Sequence, residues 1–65
     1  MSKTVAAPAD AAEHLRTGRL LECHGDPIGA ILAYRLVIES GIEPAASEAR
    51  RRIEGVARVA AADAR

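Results

Sequence analysis

The sequence contains few of the residues that stabilise small proteins by means other than a hydrophobic core. Its 65 residues include a single cysteine, Cys23, which excludes an intramolecular disulfide. A structural zinc site takes about four Cys or His ligands, and the chain offers only Cys23, His14 and His24. A domain of about 60 residues buries only about 60% of the surface that its unfolded chain exposes. We therefore expect association with another chain to supply further stability.

Aromatic residues are almost absent as well. Tyr34 is the only aromatic residue of the chain, which has neither Trp nor Phe. The core must therefore be built from Leu, Ile, Val and many Ala side chains, and such small side chains imply that the helices lie in close contact.

The sequence also lacks an excess of charge and a long apolar run. Nine Lys and Arg residues balance nine Asp and Glu residues, so neither nucleic acid nor an anionic membrane is favoured as a partner. No segment approaches the ~20 apolar residues of a membrane span. Residues 1–8 lack the apolar stretch of a signal peptide. These features predict a cytoplasmic protein without membrane contact.

Start and stop signals divide the chain into three helices, which predicts an all-α, three-helix antiparallel bundle. Pro8 precedes the first helix, and Asp26 as N-cap with Pro27 at the first helical position begins the second. Gly41 ends the second helix, and Pro44 begins the third. The predicted helices span residues 9–24, 27–40 and 45–62, between a flexible tail at 1–8 and a frayed end at 63–65.

The second helix is apolar nearly all round. At about 100° per residue it carries three apolar stripes: Ala30, Ala33 and Val37; Ile31, Tyr34 and Ile38; and Ile28, Leu32 and Leu36. Two neighbouring helices can cover two of these stripes, which leaves the third for another chain. We therefore predict a partner interface formed by Ile28, Leu32, Arg35, Leu36 and Glu39.

The third helix is amphipathic, with one apolar stripe and a charged opposite side. The stripe consists of Ala45, Ala49, Ile53, Val56 and Ala60. On the charged side, the spacing predicts i,i+4 ion pairs of Glu48 with Arg52, Arg50 with Glu54, and Glu54 with Arg58.

Small and aromatic residues recur at fixed spacing across the first two helices. The frame reads His14-x2-Thr17-Gly18-x2-Leu21, then Ala30-x3-Tyr34, then Pro44. This frame resembles the tetratricopeptide repeat, a helix pair with the pattern W-x2-L-G-x2-Y, A-x3-F and P. His14, Thr17 and Leu21 stand where the family has Trp, Leu and Tyr.

The resemblance implies a tetratricopeptide-like helix pair followed by a C-terminal capping helix. Gly18 and Ala30 would let the two helices approach closely, with Tyr34 filling the space beside them. A protein-interaction module is implied, with a peptide-binding face formed by Ala12, Leu15, Arg16, Arg19 and Cys23. Because a single repeat cannot bury its faces alone, the resemblance again favours self-association or docking.

No residue pattern indicates catalysis, a metal or a cofactor. Cys23 and His24 are adjacent, so on a helix they point about 100° apart and chelate one ion poorly. We interpret Cys23 as a buried or half-buried packing residue and His14 as an inward packing residue. The chain has no serine in a nucleophile elbow. The carboxylates that can be placed are matched with arginines and lack the apolar setting of a general acid. We therefore expect a protein that is not an enzyme.

Three functions are compatible with this sequence. The one we predict is an interaction or assembly module, as a homo-oligomer or a component of a larger complex. The first alternative is a non-catalytic accessory subunit that stabilises or regulates an enzyme. The other is a DNA-binding helix-turn-helix over residues 38–52, with Gly41 in the turn. In that register Ser47 and Arg50 fall where packing residues are required, and the neutral net charge also disfavours it.

Overall fold

Three α-helices joined by two short turns make up residues 8–63, the part of the chain that the computed structural model describes, with side chains for residues 9–62. The helices are α1 (Pro8–Cys23), α2 (Pro27–Ser40) and α3 (Ala45–Asp63). The predicted all-α fold is confirmed, and α1 begins and α3 ends one residue beyond the predicted bounds. Pro8 of the predicted tail at 1–8 and Asp63 of the predicted frayed end at 63–65 belong to helices, and residues 1–7 and 64–65 lie outside the described residues. None of the three helices is long and apolar enough to cross a membrane.

The bounds of α2 follow from the capping residues that the sequence indicates. The Asp26 carboxylate accepts a hydrogen bond from the Gly29 backbone N–H at 3.0 Å, and Pro27 takes the first helical position. At the other end Gly41 adopts the left-handed conformation, with φ of 69°, and its N–H donates to the Ile38 carbonyl oxygen. Gly25 has a φ of 77° in the turn after α1. Both turns therefore depend on glycine.

Glu43 caps the first turn of α3 with its side chain. Its Oε1 accepts hydrogen bonds from the Ser47 backbone N–H at 3.2 Å and from the Ser47 hydroxyl at 2.6 Å. The hydroxyl bond, with help from Arg50, lowers the pKa of the Glu43 carboxyl.

Two of the three ion pairs predicted on α3 do not form. The predicted pair of Arg50 with Glu54 is wrong, since Arg50 lies 3.9 Å from Glu43 instead. The predicted pair of Glu54 with Arg58 is also absent from the ion pairs of residues 8–63.

The middle helix, α2, holds the fold together. It packs along both α1 and α3, whereas α1 and α3 make few contacts with each other. Eight apolar residues are buried among residues 9–62, and five of them are alanines, so the helices lie close and the core is thin. These residues are Ala11, Ala30, Ala33, Tyr34, Val37, Ala46, Ala49 and Val56.

Where α1 packs on α2, the Tyr34 ring lies against Gly18. Both residues are buried, and the ring has no exposed surface. A Cβ added at Gly18 would lie 2.7 Å from Tyr34 Cδ1 and 2.8 Å from Cζ, which is shorter than any van der Waals contact. The spacing of α1 and α2 therefore requires a residue without a side chain at position 18.

We expect Gly18→Ala to lower the free energy of unfolding by about 1–3 kcal/mol, because overpacking against Tyr34 outweighs the roughly 1 kcal/mol that alanine adds in a helix. Gly55→Ala is the matched control, since a Cβ at Gly55 meets nothing within 4 Å. That variant should raise the free energy of unfolding by about 0.5–1 kcal/mol. Thermal unfolding followed by circular dichroism measures both changes. If both variants stabilised the chain by a similar amount, the contact of the Tyr34 ring with Gly18 would be contradicted.

Candidate functional site

Three of the five exposed large apolar side chains of the described residues lie along one side of α2. Ile28, Leu32 and Leu36 are 72%, 57% and 48% exposed, and Arg35 and Glu39 beside them are exposed too. We call these five residues the outer face of α2. The opposite side of the same helix is fully buried at Ala30, Tyr34 and Val37. The structure thus brings together all five residues of the interface predicted on the second helix.

The outer face of α2 carries one positive and one negative charge, and neither is paired within residues 8–63. Arg35 and Glu39 are one helical turn apart, yet they form no ion pair with each other or with another described residue. Their order along the helix explains this, because an i,i+4 pair is weaker when the cation precedes the anion. Both charges are therefore available to another chain.

The five residues of the predicted peptide-binding face all lie on α1. Ala12, Arg16, Arg19 and Cys23 are exposed, whereas Leu15 is partly buried against the core. The interpretation of Cys23 as a buried or half-buried packing residue is wrong, because α1 ends at Cys23 and its thiol is exposed. Peptide binding by this surface stays a prediction.

A polar network joins the three helices at one end of the core. The buried Tyr34 hydroxyl donates a hydrogen bond to Glu22 Oε2 at the end of α1. Arg52 of α3 places its Nη1 3.5 Å from the same carboxylate oxygen, and its Nε donates to Glu48 at 3.3 Å. The predicted pair of Glu48 with Arg52 is therefore confirmed. Glu22 and Arg52 form the one direct ion pair between α1 and α3 among the described residues.

The pKa values of Tyr34 and Arg52 are both raised within this network. Burial of the phenol raises the pKa of Tyr34 from 10.0 to about 12, with further increases from the hydrogen bond and the negative charge of Glu22. Partial burial opposes the charge on Arg52, but its bond to Glu48 and the nearby Tyr34 and Glu22 outweigh that and raise its pKa. The network is therefore most stable with Tyr34 neutral and Arg52 charged.

Beside this network, a groove of about 580 Å³ separates the α1–α2 turn from α3. Its polar lining consists of Glu22, Glu48, Arg51 and Arg52, and its apolar lining includes Pro27, Val56, Val59 and Ala60. None of the residues predicted to bind a peptide on α1 lines this groove. Within residues 8–63, no three His, Cys, Asp or Glu side chains lie close enough together to hold a metal ion.

Of the polar network, the sequence predicts only the pair of Glu48 with Arg52, and it predicts nothing of the groove. The one available signal was that Tyr34 is the only aromatic residue in an alanine-rich chain, so its hydroxyl needed a partner. No spacing in the sequence identifies Glu22 as that partner. The two residues meet only because α1 and α2 fold back on one another.

We expect Tyr34 to ionise with a midpoint near pH 12 in the folded chain. Because the chain has one Tyr and no Trp, the ultraviolet absorbance of tyrosinate reports this residue alone. The folded pKa lies above the unfolded value, so the unfolded chain loses its proton first and stability falls as the pH rises from 10 towards 12. Glu22→Gln should lower the midpoint without returning it to 10, since burial is the larger cause. A midpoint near 10 in a chain that circular dichroism shows to be helical would contradict the network.

Comparison with protein-family profiles, with curated proteins and with solved structures finds no match to this chain. What the protein does has therefore to be inferred from its own residues and geometry.

Proposed function

We propose that this chain is a protein–protein interaction or assembly module that associates through the outer face of α2. One observation carries the proposal: Ile28, Leu32 and Leu36 are each about half exposed or more, on a helix whose other sides are buried. Exposed apolar residues scattered singly need no explanation, but a contiguous patch on a small chain is typical of an interaction site.

The energy available from covering this patch is substantial for so small a chain. Full burial of a Leu or Ile side chain contributes about 1.5–3 kcal/mol, so burying the exposed parts of three such side chains adds about 1 kcal/mol or more each. Folded domains are stable by only about 0.05–0.15 kcal/mol per residue. Covering the outer face of α2 would thus add a large fraction to the stability of the chain.

The composition of the core supports the same proposal. Tyr34 and Val37 are the only large side chains that are fully buried among the described residues, and most of the other buried residues are alanines. A core of this kind buries little apolar area per residue, so a domain of this length needs a second source of stability. An interface on α2 supplies this stability on the helix that carries Tyr34 and Val37 and that contacts both α1 and α3.

A photo-crosslinking amino acid at position 32 tests this function in the cells that produce the protein. We expect irradiation to join the chain covalently to another protein, either a second copy or a different chain. The matched control carries the same amino acid in place of Arg58, which is exposed on the charged side of α3. Adducts of equal yield at both positions, or none at position 32, would contradict an interface on α2.

A further inference from the structure

We propose that the outer face of α2 is covered by a second copy of this chain, with the two α2 helices crossing antiparallel near Leu32. The proposal rests on the proposed function and specifies its partner. Three features of the outer face support it: the spacing of its apolar residues, the balance of its charges, and the position of those charges along the helix.

The apolar residues of the outer face form a ridge that is complementary to itself. Ile28, Leu32 and Leu36 are spaced by four residues and therefore lie along one i±4 row of the helix surface. Two identical helices pack such rows into one another's grooves when their axes cross at about −50°, the commonest class of helix packing. An identical α2 is thus a partner whose shape matches this ridge without any change in the chain.

The charges of the outer face permit a second copy and favour one orientation. Arg35 and Glu39 together carry no net charge, so two identical faces approach without net repulsion. Both charges lie in the C-terminal half of α2, since the helix spans Pro27–Ser40. In a parallel pair each charge would face its own copy. In an antiparallel pair Arg35 instead lies at the level of the partner's Gly29, where the Asp26 carboxylate packs, and Glu39 lies beyond the start of the partner's α2. Like charges opposed across an interface cost free energy, so the antiparallel arrangement is favoured.

An antiparallel crossing near Leu32 pairs the three apolar residues reciprocally. Leu32 lies beside the partner's Leu32, and Ile28 lies at the level of the partner's Leu36. The apolar ridge of each copy is then covered over its full length by the other.

The area available limits how tightly two copies bind. Standard interfaces bury about 800 Å² per partner, which is roughly a sixth of the 4555 Å² accessible surface of this chain. One side of a single 14-residue helix supplies less area than this standard interface. A dissociation constant on the order of micromolar is therefore expected, and self-association depends on concentration.

Disulfide trapping tests both the partner and its orientation. Ile28→Cys and Leu36→Cys are prepared separately in a Cys23→Ser background, mixed in equal amounts and oxidised. The antiparallel crossing predicts that the mixed disulfide, one variant joined to the other, exceeds either homodimer several-fold. Ile28, Leu36 and Cys23 are all exposed, so replacing them removes no core contact. Circular dichroism verifies that each variant folds. Arg58→Cys, mixed with each variant, gives the yield of random collisions.

Each other outcome overturns a defined part of the proposal. Preferential homodimers would show a parallel pair, and yields no greater than those with Arg58→Cys would exclude a second copy on this face. In the latter case, a photo-crosslink from position 32 to a different protein would leave the proposed function standing, and no crosslink at all would overturn both.

A second variant tests the same contact without oxidation. Leu32→Glu places a carboxylate from each copy at the crossing point, where burial disfavours the charged form. We expect the dissociation constant to rise at least about 30-fold, which corresponds to the roughly 2 kcal/mol of a hot-spot residue. Arg58→Glu, which adds a carboxylate on α3 instead, should leave the dissociation constant unchanged. Equal dimerisation of both variants and the unaltered chain would overturn the proposal.

Discussion

The contact between the Tyr34 ring and the backbone of Gly18 is the constraint on which the rest of this structure depends. Because no side chain separates them, α1 and α2 approach closely and the only aromatic ring of the chain becomes fully buried. The direction of the ring then places its hydroxyl on Glu22, and Glu22 in turn lies beside Arg52 of α3. One contact thus fixes the rotation of α2 about its axis. With that rotation fixed, Ile28, Leu32 and Leu36 can only face outwards.

A core made largely of alanine has consequences for both stability and function. Alanine lets the helices pack at short distance and loses no side-chain entropy on folding, but it buries little apolar area. α2 carries six of the chain's fourteen Leu, Ile and Val side chains, and its outer face remains uncovered by α1 and α3. Stability and association are therefore coupled, since whatever covers the outer face of α2 also stabilises the fold.

The sequence predicted those features that depend on local chemistry. Asp26, Pro27 and Gly41 set the bounds of α2 through capping and backbone conformation, which need no knowledge of the tertiary structure. Helical periodicity separated the stripe of Ile28, Leu32 and Leu36 from the two stripes that pack inwards. Features that depend on how helices meet were missed or wrong. Arg50 lies near Glu43, which precedes α3 in the turn, and Cys23 is exposed at the last residue of α1. The partner of Tyr34 was unpredictable for the same reason.

The claim that association completes this fold is tested most directly by following mass and helicity together across a dilution series. Analytical ultracentrifugation gives the mass of the purified chain, and circular dichroism on the same samples gives its helical content. We predict a helical dimer at high concentration that dissociates on dilution with a parallel loss of thermal stability. A fully helical monomer whose thermal stability is independent of concentration would contradict it, because three helices would then suffice without a partner.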